Sequence, residues 1–163
     1  MSSAEADLPR ATRRFLAAAP EPVAGIRFFP EGTKTAVDAA AAVGCEVSAI
    51  VKSLVFVVSS GEAEEPVVAL VPGDLRLDPA KLARAAGAEK ARRAGLDEAR
   101  EATGFAAGGT PPFGHARRLR VFADPALRRH EVVWAAAGTP NTVFPIRIED
   151  LDRWASPLWT DVT

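Results

Sequence analysis

The sequence predicts an α/β (α+β) domain in which a mixed, mainly antiparallel sheet is flanked by helices. Three observations point to it. Helix-like and strand-like stretches are mixed along the chain, two apolar runs around a polar turn form a clear hairpin, and a doubly wound parallel pattern is missing. At 163 residues the chain has the length of one domain, so residues 1–163 are read as a single unit that buries roughly two-thirds of its surface. Its 48% hydrophobic and 25% charged residues fall in the globular range and argue against disorder or a fibrous architecture.

An opening helix is expected from about Leu8 to Ala18, with Asp7 ahead of it and Pro9 in the first turn, where a missing N–H costs little. Gly25–Phe29 reads as a short strand closed by Pro30 and the Glu31-Gly32 turn. Thr35 with Asp38 resembles a capping box for a helix over Ala36–Val43 that Gly44 stops. Val51–Val58 is the strongest strand, and Val67–Val71 is its hairpin partner across the turn at Ser59–Glu65. Asp78 and Pro79 start a helix, stapled by Leu77 and Leu82, that ends at Gly87. A shorter helix, Glu98–Thr103, ends at Gly104. Strands follow near Leu119–Ala123, at Glu131–Ala136 and at Thr142–Ile148, with a turn or short helix behind Asp124-Pro125. A last helix over Glu149–Ala155 carries Ile148, Leu151 and Trp154 along one side.

Several function classes are disfavoured at once. No run approaches the ~20 apolar residues of a membrane span, and Met1–Asp7 is small and acidic where a signal peptide would be basic and then apolar, so the expected location is the cytoplasm. Cys45 is the only cysteine, so an internal disulfide is impossible. With His115 and His130 as the only histidines, no zinc ligand set forms, and neither metal nor cofactor is expected. The net charge of −1 conceals an asymmetry, because residues 75–130 hold 12 Lys and Arg against 6 Asp and Glu. Such a segment supplies a local field for a polyanion, or else simply a pair of solvated helix faces.

Two stretches could carry chemistry. In the strand Ile50–Val58, Lys52 shares a face with Ile50, Leu54, Phe56 and Val58, while Val51, Ser53, Val55 and Val57 take the other. A strand apolar on both faces is normally buried, so Lys52 needs a lowered pKa, a partner or a polar cleft; the alternatives are snorkelling to solvent or an edge charge that deters aggregation. In the second stretch, Gly104–His115, paired glycines expose backbone N–H groups and Pro111-Pro112 stiffens the segment. No Gly-Lys-Ser/Thr follows, so it is not a nucleotide P-loop. His115 offers a base, a phosphate contact or a merely solvated ring. Cys45 reads as a small buried hydrophobe, and without a Gly-x-Ser-x-Gly elbow Ser53 has no claim as a nucleophile. Arg117, Arg118, Arg120, Arg128 and Arg129 are available to grip phosphates.

These segments, in this order, resemble the YbaK and prolyl-tRNA editing-domain family, which hydrolyses misacylated tRNA. The likeness runs through Thr33–Gly44, Ile50–Phe56, Leu70–Asp78, Ala102–Phe105, Gly108-Gly109-Thr110-Pro111-Pro112-Phe113-Gly114-His115 and Val133–Asn141, and is closest to the free-standing prolyl-tRNA editing proteins. It implies the YbaK/ProRS-associated editing-domain fold, with the sheet partly closed like a barrel. Lys52 matches the central lysine of the family. Gly108-Gly109-Thr110-Pro111 matches the loop that places amides around the aminoacyl ester.

The resemblance thus implies a catalytic set of Lys52, Gly108 and Gly109, in which water attacks the ester and the glycine amides stabilise the oxyanion. Candidate substrate-binding positions are Thr33, Thr35, Val47, Ile50, Thr110, Pro111, Pro112, His115 and Gly138. Arg117, Arg118 and Arg120 are the tRNA-binding candidates. The cysteine-clearing branch usually has a serine and an aspartate where this chain offers Ala136 and Val143, which favours a small residue such as alanine. The implied partners are the acceptor end of aminoacylated tRNA and prolyl-tRNA synthetase, with monomer and homodimer both open. A tRNA-binding module without turnover is the alternative.

Overall fold

The computed structural model describes residues 7–33 and 35–163; the acidic start at residues 1–6 and Lys34 of the first matched segment lie outside them. The elements in chain order are α1 (Arg10–Ala18), β1 (Arg27–Phe28), α2 (Ala36–Val43), β2 (Ile50–Ser60), β3 (Ala63–Pro72), α3 (Pro79–Ala86), β4 (Lys90–Arg93), α4 (Leu96–Thr103), β5 (Arg120–Ala123), β6 (Val132–Ala136), β7 (Thr142–Arg147), α5 (Ile148–Ala155) and β8 (Leu158–Trp159). Short 3-10 turns at Val47–Ala49 and Pro125–Arg129 join them.

Local chemistry sets most boundaries. Thr35 Oγ1 accepts from the Asp38 N–H at 3.0 Å to open α2, and Gly44 at φ 79° closes it in the left-handed region. Asp78 Oδ1 accepts from the Ala80 N–H at 2.9 Å with Pro79 in the first turn of α3. The helix boundaries depart from expectation by a residue or two: α1 starts at Arg10 and α4 at Leu96, behind Gly95.

The eight strands form one mixed sheet in the order β1-β7-β6-β2-β3-β5-β8, with β4 also paired to β2. The long β2·β3 and β6·β7 ladders are antiparallel, whereas β2·β6, β3·β5 and β5·β8 are parallel. The sheet is not closed, which corrects the barrel-like closure that the resemblance implied. Closure is unnecessary because both faces are covered. Val68 and Leu70 of β3 point into a core with Phe15 of α1, Phe144 of β7 and Leu151 of α5, while Val67, Ala69 and Val71 meet Leu82 of α3 and Phe122 of β5. Val67–Val71 are fully buried, as a continuous apolar run on a two-sided sheet requires.

Two strands escaped the sequence reading. β4 is Lys-Ala-Arg-Arg and mostly exposed, so it lacks apolar alternation and looks like a solvated charge run; β8 has two residues. The first proves decisive for the site. Among the described residues, no helix is long and apolar enough to cross a membrane.

Candidate active site

The cleft arises from a fork in the sheet. One edge of β2 pairs with β3 throughout, but its other edge is shared: β6 lies beside Ile50 and Val51, and β4 beside Phe56–Ser59. Lys52–Val55 lie in the gap. The Val55 carbonyl accepts from the Ala94 N–H at 3.0 Å across that edge. Alternate residues present their amides to the same edge, so Ser53 turns its N–H and C=O into the opening, where no strand lies.

The opening is a cavity of about 320 Å³, at the small end for a ligand site. Its walls are largely small and apolar, with Ala36 and Ala39 of α2, Ala94, Ala99, Ala136, Val143 and the Trp134 ring. Thr33, Thr35, Ile50, Lys52, Gly108 and Thr110 also line it, so six sequence-predicted positions meet there. Ser53, Arg93, Leu96 and Trp134 join them without having been singled out as site residues. The Ser53 hydroxyl is buried without a hydrogen-bond partner, a costly condition unless something in the cavity satisfies it.

Lys52 stands half-buried at this gap, its Nζ donating to the Leu75 carbonyl at 2.6 Å. Burial pushes its pKa below the usual lysine range; Asp74 opposes that, and Arg76 and Arg93 add to it. Arg93 also lines the cleft beside Lys52, and neither Arg76 nor Arg93 has a carboxylate within 4 Å among the described residues. Such cations suit an anion.

The loop beside it is organised by its glycines. The Gly109 N–H donates to the Ala106 carbonyl at 3.0 Å, with Gly108 at φ 86°, the hallmark of a type II turn. Gly109 is therefore not a free donor, contrary to expectation. The N–H groups of Gly108 and Thr110 have no hydrogen-bond partner among the described residues, and both residues face the cleft. Gly109 instead lets two loops cross: the Gly138 N–H donates to its carbonyl at 3.0 Å, and a Cβ there would lie 2.6 Å from Thr139 Cα.

The remaining predicted positions do not line the cleft. Val47 packs against Gly73, whose Cβ would come within 2.5 Å of the Val47 carbonyl, and Gly138 abuts the backbone of Ala11 in α1. The Pro111 carbonyl accepts from His115 Nε2–H at 2.7 Å, so the ring braces its own loop. Pro112 and His115 line a separate groove with Arg117, Arg118 and Arg120. Arg120 is engaged by both Glu65 oxygens, at 2.8 Å each, which removes it from the available cations. Among the described residues no three His, Cys, Asp or Glu side chains cluster as a metal set.

Burial lowers the His115 pKa, partly opposed by the bond to Pro111. The unfolded chain therefore binds a proton that the folded one resists, and stability should fall as pH drops from neutrality through the ordinary histidine range. Denaturant midpoints between pH 7 and 5 should show this loss, and His115→Gln should reduce it.

The fold and cleft define a small α/β domain with a compact, largely apolar cavity lined by Lys52, Gly108 and Thr110. A family model for the aminoacyl-tRNA editing domain matches residues 30–154, and the chain belongs to that family. YwhH of Bacillus subtilis (strain 168) is 33% identical over 135 residues, covering 82% of this chain and 83% of that protein. The candidate Cys-tRNA(Pro)/Cys-tRNA(Cys) deacylase EbsC of Enterococcus faecalis is 32% identical over 110 residues, covering 68% of this chain and 65% of EbsC. The crystal structure of a candidate trans-editing enzyme for prolyl tRNA synthetase superposes with a TM-score of 0.84 at 36% identity, covering 96% of this chain and 99% of that one.

Proposed function

We propose that this protein hydrolyses, in trans and in the cytoplasm, the ester of mischarged aminoacyl-tRNA, with a small amino acid such as alanine on tRNA(Pro) as preferred substrate. The observation that carries the reading is the fork cleft itself: an alanine-rich cavity of about 320 Å³ lined by Lys52 and by Gly108 and Thr110, whose N–H groups have no partner among the described residues. The likeness to a candidate trans-editing enzyme supports tRNA and prolyl-tRNA synthetase as partners. EbsC is named for a cysteinyl substrate, but here Ala136 and Val143 face the cavity, and neither can hydrogen-bond a thiol.

In this mechanism water adds to the ester carbonyl carbon, and the oxyanion accepts from Gly108 and Thr110 N–H. The bond to the ribose oxygen then breaks, and that oxygen takes up the proton the water gives up. The neighbouring ribose hydroxyl orients the water. Lys52, with Arg76 and Arg93, holds the phosphates that lead into the terminal adenosine. Backbone donors to a developing oxyanion are the kind of device whose single removal costs about 100-fold or more in rate.

Apolar walls discriminate one methylene by only ~1–3 kcal/mol, so selection works by exclusion. Ala136→Val should therefore slow release of larger acyl groups at least about 10-fold more than alanine, read from parallel single-turnover rates. The direct test incubates the protein with tRNA carrying radiolabelled alanine, serine, cysteine or proline. Alanine release should be fastest; release of none, with tight tRNA binding, would favour the non-catalytic tRNA-binding module.

A further inference from the structure

We propose that the outer face of α1, continued by Arg117 and Arg118, is the surface that receives the sugar-phosphate backbone of the tRNA acceptor stem. This rests on reading the cleft as an aminoacyl-tRNA site. The ion pairs divide the arginines into two populations. Arg92, Arg120, Arg128, Arg129, Arg147 and Arg153 each sit against a carboxylate. The other ten, Arg10, Arg13, Arg14, Arg117 and Arg118 among them, have none within 4 Å among the described residues.

These five of the unpaired arginines lie on adjoining segments. Arg10, Arg13 and Arg14 stand at i, i+3 and i+4, one stripe of α1, while Thr12 and Phe15 are buried. Arg14 Nη1 donates to the Gly104 carbonyl at 2.8 Å, and its guanidinium stacks 5.1 Å from the Phe105 centroid. A Cβ on Gly104 would lie 3.1 Å from Ala116 Cβ and 3.7 Å from Arg14 Nη1. Three segments therefore converge on one glycine. The Ala116 N–H, donating to Thr103 at 2.8 Å, and the Arg117 N–H, donating to Ala102 at 3.3 Å, fix the Arg117-Arg118 pair beside them.

Two details point to an anionic ligand. Arg13 is only partly exposed, and its buried Nε has no hydrogen-bond partner among the described residues, so no protein acceptor neutralises this guanidinium. The tract also backs the loop that enters the cleft, since Gly104 leads directly to Gly108 and α1 abuts Gly138. A polyanion whose acylated end reaches the cavity would lay its neighbouring phosphates along such a ridge. Five cations without a carboxylate partner among the described residues bind phosphate by charge and carry no base information, so this surface supplies affinity and orientation.

The test measures binding of uncharged tRNA(Pro) transcript across a salt series, with deacylation of alanyl-tRNA and of an alanylated CCA trinucleotide alongside. Arg10→Gln/Arg13→Gln should weaken tRNA binding about 10-fold or more and flatten the log–log salt slope by about 2, with trinucleotide turnover unchanged. Arg117→Gln/Arg118→Gln provides a second pair on another segment. Arg147→Gln, a cation of the paired population, should change neither quantity. Unchanged affinity and slope in both double variants, at wild-type Tm, would overturn the proposal, as would an equal loss in Arg147→Gln. Wild-type tRNA binding through this face without turnover would sink the hydrolase reading and leave the surface standing.

Discussion

Lys52→Ala is expected to lower kcat/KM for deacylation of alanyl-tRNA by about 100-fold or more, the scale typical of losing one preorganised electrostatic contact. The fold should survive. Because Lys52 sits in a partly desolvating strand and its pKa is lowered there, the unfolded chain binds more protons as pH falls below the ordinary lysine range. Stability at this position therefore rises with pH, and the buried charge is a cost at neutrality. Lys52→Met should accordingly leave Tm equal or slightly higher while abolishing most activity, a separation that a structural lysine would not produce. The same shift sets a pH limit on binding. As pH climbs through the lowered pKa the cation is lost, so KM should rise on the alkaline side in the wild type but not in Lys52→Arg, whose charge persists.

The second large effect is expected at Gly109→Ala. Its Cβ would stand 2.6 Å from Thr139 Cα and 2.8 Å from the Gly138 carbonyl oxygen, both backbone atoms that cannot swing aside. The two loops must part, breaking the bond from the Gly138 N–H and moving the Gly108 and Thr110 amides. Overpacking of this kind costs roughly 1–3 kcal/mol, visible in denaturant unfolding, and deacylation should fall further than stability explains. Gly108→Ala separates the two causes. Its Cβ would meet only Pro140 Cγ, at an ordinary 3.7 Å, so its penalty is the left-handed φ of 86°, about 1–2 kcal/mol.

The elements legible in the sequence are those that local chemistry dictates. Thr35, Asp78, Gly44, Gly87 and Gly104 act at helix ends as their residue types require, and the β2·β3 hairpin follows from two apolar runs. What stayed hidden depends on distant partners. Nothing in Lys90–Arg93 marks a strand, because its pairing with Phe56–Ser59 and the anchoring of Arg92 by Glu64 and Glu98 are tertiary events. The same strand makes the fork, so Ser53 and Arg93 become cleft residues only once β4 and β6 part along β2. Arg120 shows the converse: its place in a basic run suggested phosphate binding, yet Glu65, 55 residues away in sequence, holds it. Lys52 and Gly108 were legible because each is anomalous in its own neighbourhood, a charge in an apolar strand and a glycine pair before two prolines.

The central claim is that the gap between β4 and β6 receives the aminoacyl end of tRNA. Backbone amide shift mapping with 3′-alanylamino-3′-deoxyadenosine, a stable amide of that end, tests it most directly. Perturbations concentrated at Lys52, Ser53, Gly108 and Thr110 are predicted, and they should vanish when Ala136→Phe fills the cavity. Perturbations confined to the groove between His115 and Trp154, or unaltered by Ala136→Phe, would contradict the account.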